Sequence, residues 1–326
     1  MEKIVEINDL HRTFKITSGW FRKKHRTINA LDGISFKIYK GEVFGLLGPN
    51  GAGKTTTIKI LSTLLAPTSG TCKIFGYNTF GEEKEIRKKI NFIFGGEMGI
   101  YRRISAKENL IYFANLYHVP EADKSQLIEK LLKLVGLWEK ADIKVETYSK
   151  GMIQRLQIAR GLVNNPDIIF LDEPSIGLDP VGARELRDLI KVLKMEGKTI
   201  LLTTHYMYEA DELCDRIAII NHGRLIALDT SENIKRKAEN TSVLEIETLD
   251  GIDDDKIAEI KKIGFVEMVT LRNVEHKNII EVQYACEHEI TNNVLEIIKD
   301  IKILSIKTRE ASLEDAYITL IGAQNE

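Results

Sequence analysis

Residues 48–55 read Gly-Pro-Asn-Gly-Ala-Gly-Lys-Thr. This run constrains the chain more than any other feature. It has the pattern G-x-x-x-x-G-K-[S/T], it follows the apolar stretch 43–47, and helical spacing of apolar residues resumes behind it. Glycines let successive backbone N–H groups turn toward one point without Cβ clashes. The helix start adds partial positive charge at the same point. An anion with several oxygens, such as a polyphosphate, suits that cradle. Gly48, Pro49, Asn50, Gly51, Ala52, Gly53, Lys54, Thr55 and Thr56 are its candidate binding residues. Lys54 is long enough to reach terminal phosphates, and Thr55 offers a hydroxyl to a magnesium ion.

A strand–loop–helix of this kind belongs in an α/β domain with a largely parallel sheet. The runs 43–47, 168–171 and 199–203 read as buried central strands. Ile58, Leu61, Leu64 and Leu65 give the segment 54–65 a helical face. Residues from about 105 to 165 are helix-rich, with Leu127, Leu131, Leu134 and Val135 on one face, as in a helical insertion.

The strand 168–171 ends in Asp172 and Glu173. In open α/β sheets ligands sit at the carboxyl ends of strands. Asp172 is placed to hold Mg²⁺ through water, and Glu173 to polarise an attacking water. Alone, a strand ending in Asp-Glu reads as a capped turn. The upstream phosphate cradle gives it a chemical role. His205 follows the strand 199–203 and emerges at the same sheet edge. Glu173, His205 and Lys54 are therefore the candidate catalytic residues, and Thr55 and Asp172 the candidate metal ligands.

These residues resemble the ATP-binding subunits of ABC transporters. Five motifs stand in that family's order: 48–55, then Tyr148-Ser149-Lys150-Gly151-Met152, Asp172-Glu173, Ser175-Ile176-Gly177-Leu178-Asp179, and His205. The resemblance spans about residues 2–237. It implies a P-loop NTPase of ABC ATPase type, with a mostly parallel core sheet, an antiparallel β part and a helical subdomain of about 97–165. It also implies ATP and Mg²⁺ as cofactors, and a dimer in which the cradle of one copy faces Ser149 and Gly151 of the other. Asp179 lies in a family motif that lines the nucleotide site. Phe14 matches the aromatic that stacks on adenine. Ser149 also precedes a helix, where it reads as a simple N-cap.

Two positions depart from the family pattern. The signature reads Tyr-Ser-Lys-Gly-Met where Leu-Ser-Gly-Gly-Gln is commonest, and the glutamine expected after the strand Ile90–Phe94 is replaced by Gly96 beside Glu97. Within the family, 67–70, 104–110 and 312–317 resemble the exporter type, whose ATPase and membrane subunits are separate chains. The implied function is an ATPase that dimerises around MgATP and drives export of an unknown cargo through an integral membrane permease, at the cytoplasmic face of the membrane. The alternative is a soluble ABC-type ATPase of translation or DNA repair. A single cassette with no heptad run and no cysteine cluster argues against it.

Charge marks a second domain. The chain has 46 Lys+Arg and 48 Asp+Glu, but 241–326 hold 9 and 18 of them, a net of −9 against +7 for the rest. The expected division is 1–239 and 240–326. The tail reads β-α-β-β-α-β, a split ferredoxin-like α+β arrangement, with a last helix after Ser312. No run approaches the 18 apolar residues of a membrane helix. Three separated cysteines, Cys72, Cys214 and Cys286, form no CxxC pair and no disulfide framework.

Residues 15–29 contain Lys15, Arg22, Lys23, Lys24 and Arg26, with Trp20 and Phe21 among them and no acid. The segment is expected to interrupt a hairpin between Phe14 and Ala30. It suits an anionic membrane surface or the permease, with Trp20 as interfacial anchor. The plain alternative is a solvated basic loop. Nucleic acid fits poorly, because this is the one dense basic cluster with aromatics.

Overall fold

The computed structural model describes residues 2–18, 24–94, 99–236, 241–274, 277–285 and 288–322. They cluster into two compact units, Met1–Thr230 and Ser231–Glu326.

The first unit runs β1 (Lys3–Ser18), β2 (Lys24–Tyr39), β3 (Val43–Leu47), α1 (Lys54–Leu61), β4 (Ser69–Ile74), β5 (Tyr77–Asn78), α2 (Glu83–Arg87) and β6 (Ile90–Phe94). There follow α3 (Ala106–Leu116), α4 (Glu121–Leu134), α5 (Lys150–Gly161), β7 (Ile168–Asp172), α6 (Pro180–Met195), β8 (Thr199–Thr204), α7 (Met207–Leu213), β9 (Arg216–Asn221) and β10 (Arg224–Asp229). Six strands form one sheet in the order β10-β9-β3-β8-β7-β6. All of its pairings are parallel except β9 with β10. β3 and β8 are buried along their whole length, as continuous apolar runs in a parallel sheet demand. A four-stranded antiparallel sheet, β2-β1-β4-β5, packs over it. Ile7, Leu10, Phe36, Phe44, Leu46, Ile58, Phe170 and Leu201 share the core between them. Phe36 and Phe44 stack there at 5.1 Å between ring centroids.

Register decides which residues meet. Leu47 pairs with Thr204, and Asp172 with Thr203. Parallel pairing therefore delivers the ends of β3, β7 and β8 to one edge of the sheet. The helical insertion hangs on α3–α5. Its entry is fixed at Ser105, whose hydroxyl accepts from Glu108 N–H while Glu108 accepts from Ser105 N–H, a reciprocal capping box.

Two expectations need correction. The helix behind the cradle stops at Leu61, because Thr63 takes a left-handed φ of +63° that a helix cannot continue through, and Leu64 is left exposed. The basic segment does not interrupt the hairpin. β1 and β2 stay paired through Lys15↔Thr27 and Ile16↔Arg26 to Ser18↔Lys24, so the insertion lengthens the hairpin. Trp20, Phe21, Arg22 and Lys23 lie outside the described residues, as do Gly96, Glu97 and Cys286.

The second unit runs α8 (Ser231–Arg236), β11 (Thr241–Thr248), α9 (Asp254–Ile260), β12 (Val266–Val274), β13 (Lys277–Ala285), α10 (Thr291–Ile297), β14 (Ile303–Glu310) and α11 (Leu313–Gly322). Its strands order as β12-β13-β11-β14, antiparallel throughout. That is the split β-α-β-β-α-β topology. Leu244, Ile246, Ile280 and Val282 alternate onto one face and bury against Ile260, Val294 and Ile298. Ser312 precedes and caps α11: Asp315 accepts from Ser312 N–H at 2.7 Å and Ser312 Oγ accepts from Asp315 N–H at 3.3 Å. No helix among the described residues is long and apolar enough to cross a membrane.

Candidate nucleotide site

The cradle is built so that only glycine fits its tightest points. A Cβ on Gly48 would lie 2.2 Å from the carbonyl oxygen of Ile220. Gly53 has φ +111°, and a Cβ there would meet Ala30 O at 2.6 Å. The turn thus presses against its supports, and α1 begins directly behind it. The resulting cleft holds about 130 Å³, lined by Ala30, Pro49, Asn50, Gly51, Gly53, Lys54, Thr55, Thr56 and Glu173.

Lys54 is 4% exposed. Its ammonium donates to Gly48 O at 2.6 Å and Pro49 O at 3.2 Å, and lies 3.3 Å from Glu173 Oε1. These partners satisfy a buried charge, yet backbone carbonyls are exchangeable for phosphate oxygens. Glu173 uses its other oxygen on His205, with Nδ1 2.9 Å from Oε2. One carboxylate therefore links the cradle lysine to the histidine beyond β8.

Glu173 sits at φ +48°, an uncommon conformation for a residue with a Cβ. Its N–H is shared between Thr203 O at 3.1 Å and Thr203 Oγ1 at 3.0 Å, which holds the turn. Thr203 Oγ1 also donates to Asp172 Oδ1 at 2.6 Å. Thr55 Oγ1 donates to the same oxygen at 3.2 Å. Thr203 is a site residue that sequence reading missed. The only hint was a hydroxyl at the end of a buried strand.

Magnesium takes hard oxygen ligands, one or two of them carboxylate, and completes its shell with water and phosphate. The Thr55 hydroxyl beside the Asp172 carboxylate fits that donor set. Among the described residues no group of three or more His, Cys, Asp or Glu is arranged to hold a metal ion by itself.

The remaining candidates lie elsewhere. Phe14 is half-buried on β1 with the Arg12 guanidinium 4.6 Å from its ring centroid, and it does not line the cleft. Ser149 caps α5 by accepting from Met152 N–H at 3.3 Å. Asp179 caps α6 by accepting from Gly182 N–H at 2.6 Å, ahead of Pro180 at the first helical position. Gly151 faces Gly182, where a Cβ would come to 3.5 Å of the Gly182 Cα. Neither Ser149, Gly151 nor Asp179 lines the cleft of its own chain.

Comparison with known proteins agrees with this geometry. Residues 31–176 match the family model described as ABC transporter. The linearmycin resistance ATP-binding protein LnrL of Bacillus subtilis is 33% identical over 303 residues, 92% of this chain and 96% of its own. The daunorubicin/doxorubicin resistance ATP-binding protein DrrA of Streptomyces peucetius is 33% identical over 308 residues, 94% of this chain and 92% of its own. Among solved structures, the dimeric post-hydrolysis state of the ATP-binding cassette MJ0796 bound to ADP and Pi superposes with a TM-score of 0.61. It is 28% identical and covers 70% of this chain and 98% of its own. A P-loop cradle, a strand-final acid pair and a histidine at one sheet edge, with near-full-length relatives of one kind, lead to one conclusion: this chain belongs to the ATP-binding subunits of ABC transporters.

Proposed function

We propose that this chain hydrolyses ATP to power export of a cargo through a separate membrane permease. The observation that carries the reading is the Lys54–Glu173–His205 chain of contacts beside the Thr55–Asp172 pair. The residues from Gly48 to Thr56 hold the phosphates. Lys54 neutralises the terminal phosphates, and Thr55 with Asp172 holds Mg²⁺. When bound, that ion offsets charge on the phosphate oxygens. Glu173 accepts a proton from the attacking water. His205, held on the other carboxylate oxygen, orients Glu173 and the γ-phosphate side.

Phe14 stacks on adenine in this reading. Ser149, Gly151 and Asp179 complete the site of a second copy, which is why they stand clear of the cleft of their own chain. Two copies therefore close on two nucleotides as a homodimer, and the dimeric state of the similar MJ0796 cassette supports this. The chain works at the inner face of the cell membrane through its permease. The names of LnrL and DrrA make drug-like compounds a cargo class to test. We assign 1–239 to the ATP-binding domain, with its helical subdomain at about 97–165, and 240–326 to an accessory domain. The division of the described residues into two compact units supports two domains.

The lengthened hairpin of β1 and β2 contacts anionic headgroups through the basic side chains of 15–29. Vesicles with and without anionic lipid test this: the chain sediments with the anionic ones in low salt only, and equal binding to both contradicts it. Sizing the Glu173→Gln chain with and without MgATP tests the dimer. A dimer that requires MgATP supports the reading, whereas a monomer under both conditions contradicts it. Detergent extracts should yield a co-purifying membrane protein. Ribosomes or DNA in its place would favour the soluble alternative.

A further inference from the structure

The helix α5 has Ser149 as its N-cap, and its far end is seated on β6. A Cβ on Gly161 would lie 2.6 Å from Ile93 Cδ1, so the helix backbone rests directly on that strand. Just past the helix, Asn164 donates to Ile90 O at 3.2 Å and accepts from Asn91 Nδ2 at 2.8 Å. One cation stands at this seat. Arg160, in the last turn of α5, donates from Nη1 to Gly99 O at 3.0 Å and from Nη2 to Phe92 O at 3.4 Å. Its guanidinium lies over the ring of Phe113 on α3, 5.4 Å from the centroid. Gly99 has φ +85°, and a Cβ there would fall 1.9 Å from Arg160 Nη1. Position 99 therefore has no room for a side chain while the guanidinium is seated.

Among the described residues no carboxylate enters the electrostatics of Arg160. Burial holds the guanidinium below its ordinary range, and Tyr117 offsets this in part. A guanidinium drawn out of water onto carbonyls alone is a costly way to fill space. Its planar fork does one thing an apolar side chain cannot: it holds two acceptors in one fixed geometry. Those acceptors lie beside the acid pair. Phe92 is paired with Phe170, and two residues on Phe94 is paired with Asp172. Phe92 and Gly99 also bracket Gly96, where the sequence departs from the family pattern. The fork thus joins the strand next to Asp172 to the helix that begins behind Ser149.

We propose that Arg160 is a positioning residue: its fork fixes the seat of α5 on β6, and through that helix sets where Ser149 and Gly151 are presented to a second copy. It does not line the nucleotide cleft. Arg160 and Ser149 stand about 16 Å apart along the helix axis, so a tilt of about 5° at the seat moves Ser149 by about 1.4 Å. A displacement of about 1 Å is enough to slow a reaction that depends on placement. This rests on the functional reading above, in which Ser149 and Gly151 complete the site of the facing copy.

The test uses the full-length chain in two backgrounds, parental and Glu173→Gln. Phosphate release, and binding of a fluorescent ATP analogue at dilute protein, are measured in the first. Sizing with MgATP across protein concentrations is measured in the second. Arg160→Met keeps the length of the side chain and its packing on Phe113 but removes the fork. It is expected to lower kcat about tenfold or more, with analogue affinity within about twofold. In the Glu173→Gln background it is expected to raise the concentration for half-dimerisation about tenfold or more. Gly99→Ala, which fills the seat of the guanidinium, is expected to act in the same direction, and the two together no more than the larger alone. Arg160→Lys is expected to lower kcat about threefold, since an ammonium keeps the charge without the fork. Parental kcat or unmoved dimerisation in Arg160→Met overturns the proposal, as does an equal loss of kcat and analogue affinity. If Arg160→Met does not fold, Arg160→Lys and Gly99→Ala decide, and unmoved dimerisation in both overturns it. A Glu173→Gln chain that stays monomeric with MgATP defeats the underlying reading. A dimerising Glu173→Gln chain that Arg160→Met leaves unmoved defeats only this proposal.

Discussion

The two units spend charge in opposite ways. In the nucleotide unit, Lys54, Glu173 and Asp172 sit at a sheet edge, open to a cleft, on partners that phosphate and metal can replace. In the tail, charge is closed on itself beneath α11. Arg309 donates to Asp315 at 2.5 Å and to Glu281 at 3.1 Å, while Arg272 bridges Glu281 and Glu314. Asp315 and Glu281 are nearly inaccessible. An ionic network with internal partners on every side fixes a packing arrangement, whereas one with replaceable partners receives a ligand. The acidic net charge of the tail is thus partly used in holding its own last helix.

This contrast can be broken in several places. Lys54→Ala should have the largest effect, a loss of ATP affinity of about a hundredfold or more, because two or more charge-assisted bonds vanish. Its tail should unfold at the parental temperature, which differential scanning calorimetry can check. Asp315→Ala should do the reverse. It leaves Arg309 half-satisfied and removes the α11 cap, costing the tail about 3–5 kcal/mol in denaturant titration, with nucleotide affinity unchanged. Loss of ATP binding in that variant would show that the tail network serves the site.

Ser149→Ala should cost about 1 kcal/mol as a lost cap. The two roles of Ser149 separate if turnover falls much further than that stability does.

The smallest effect is in pH. In Asp315, burial raises the carboxyl, but bonds from Arg309 and Ser312 outweigh it and hold it below the ordinary 3.8. Its contribution to tail stability is complete above 3.8 and disappears as pH falls through its lower folded value. Burial raises Glu209 and Glu42 above 4.5. Their contribution is complete below 4.5 and is lost as pH rises through their folded values. Hydrogen exchange resolved by unit should therefore show these groups acting with opposite signs, and Glu209→Gln should flatten the slope of the nucleotide unit.

Much of this was legible in sequence, for physical reasons. The cradle is local, since glycine and lysine spacing within eight residues encode it. The tail strands alternate with period two against a one-sided core, so their order could be read. What could not be read depends on register or on where a pattern stops. Leu64 and Leu65 continue the apolar spacing of α1, and only the left-handed Thr63 ends it. Pairing from Lys15 to Thr27 is made by backbone bonds between residues with no apolar alternation. Thr203 meets Asp172 because β7 and β8 align them, which only the folded chain shows.

The central claim is that Glu173, held between Lys54 and His205, serves hydrolysis and not nucleotide binding. Phosphate release and retained nucleotide can be measured together for the parental chain and for Glu173→Gln at saturating MgATP. The account predicts that Glu173→Gln retains ATP and releases phosphate at least about a hundredfold more slowly. Phosphate release at the parental rate would contradict it.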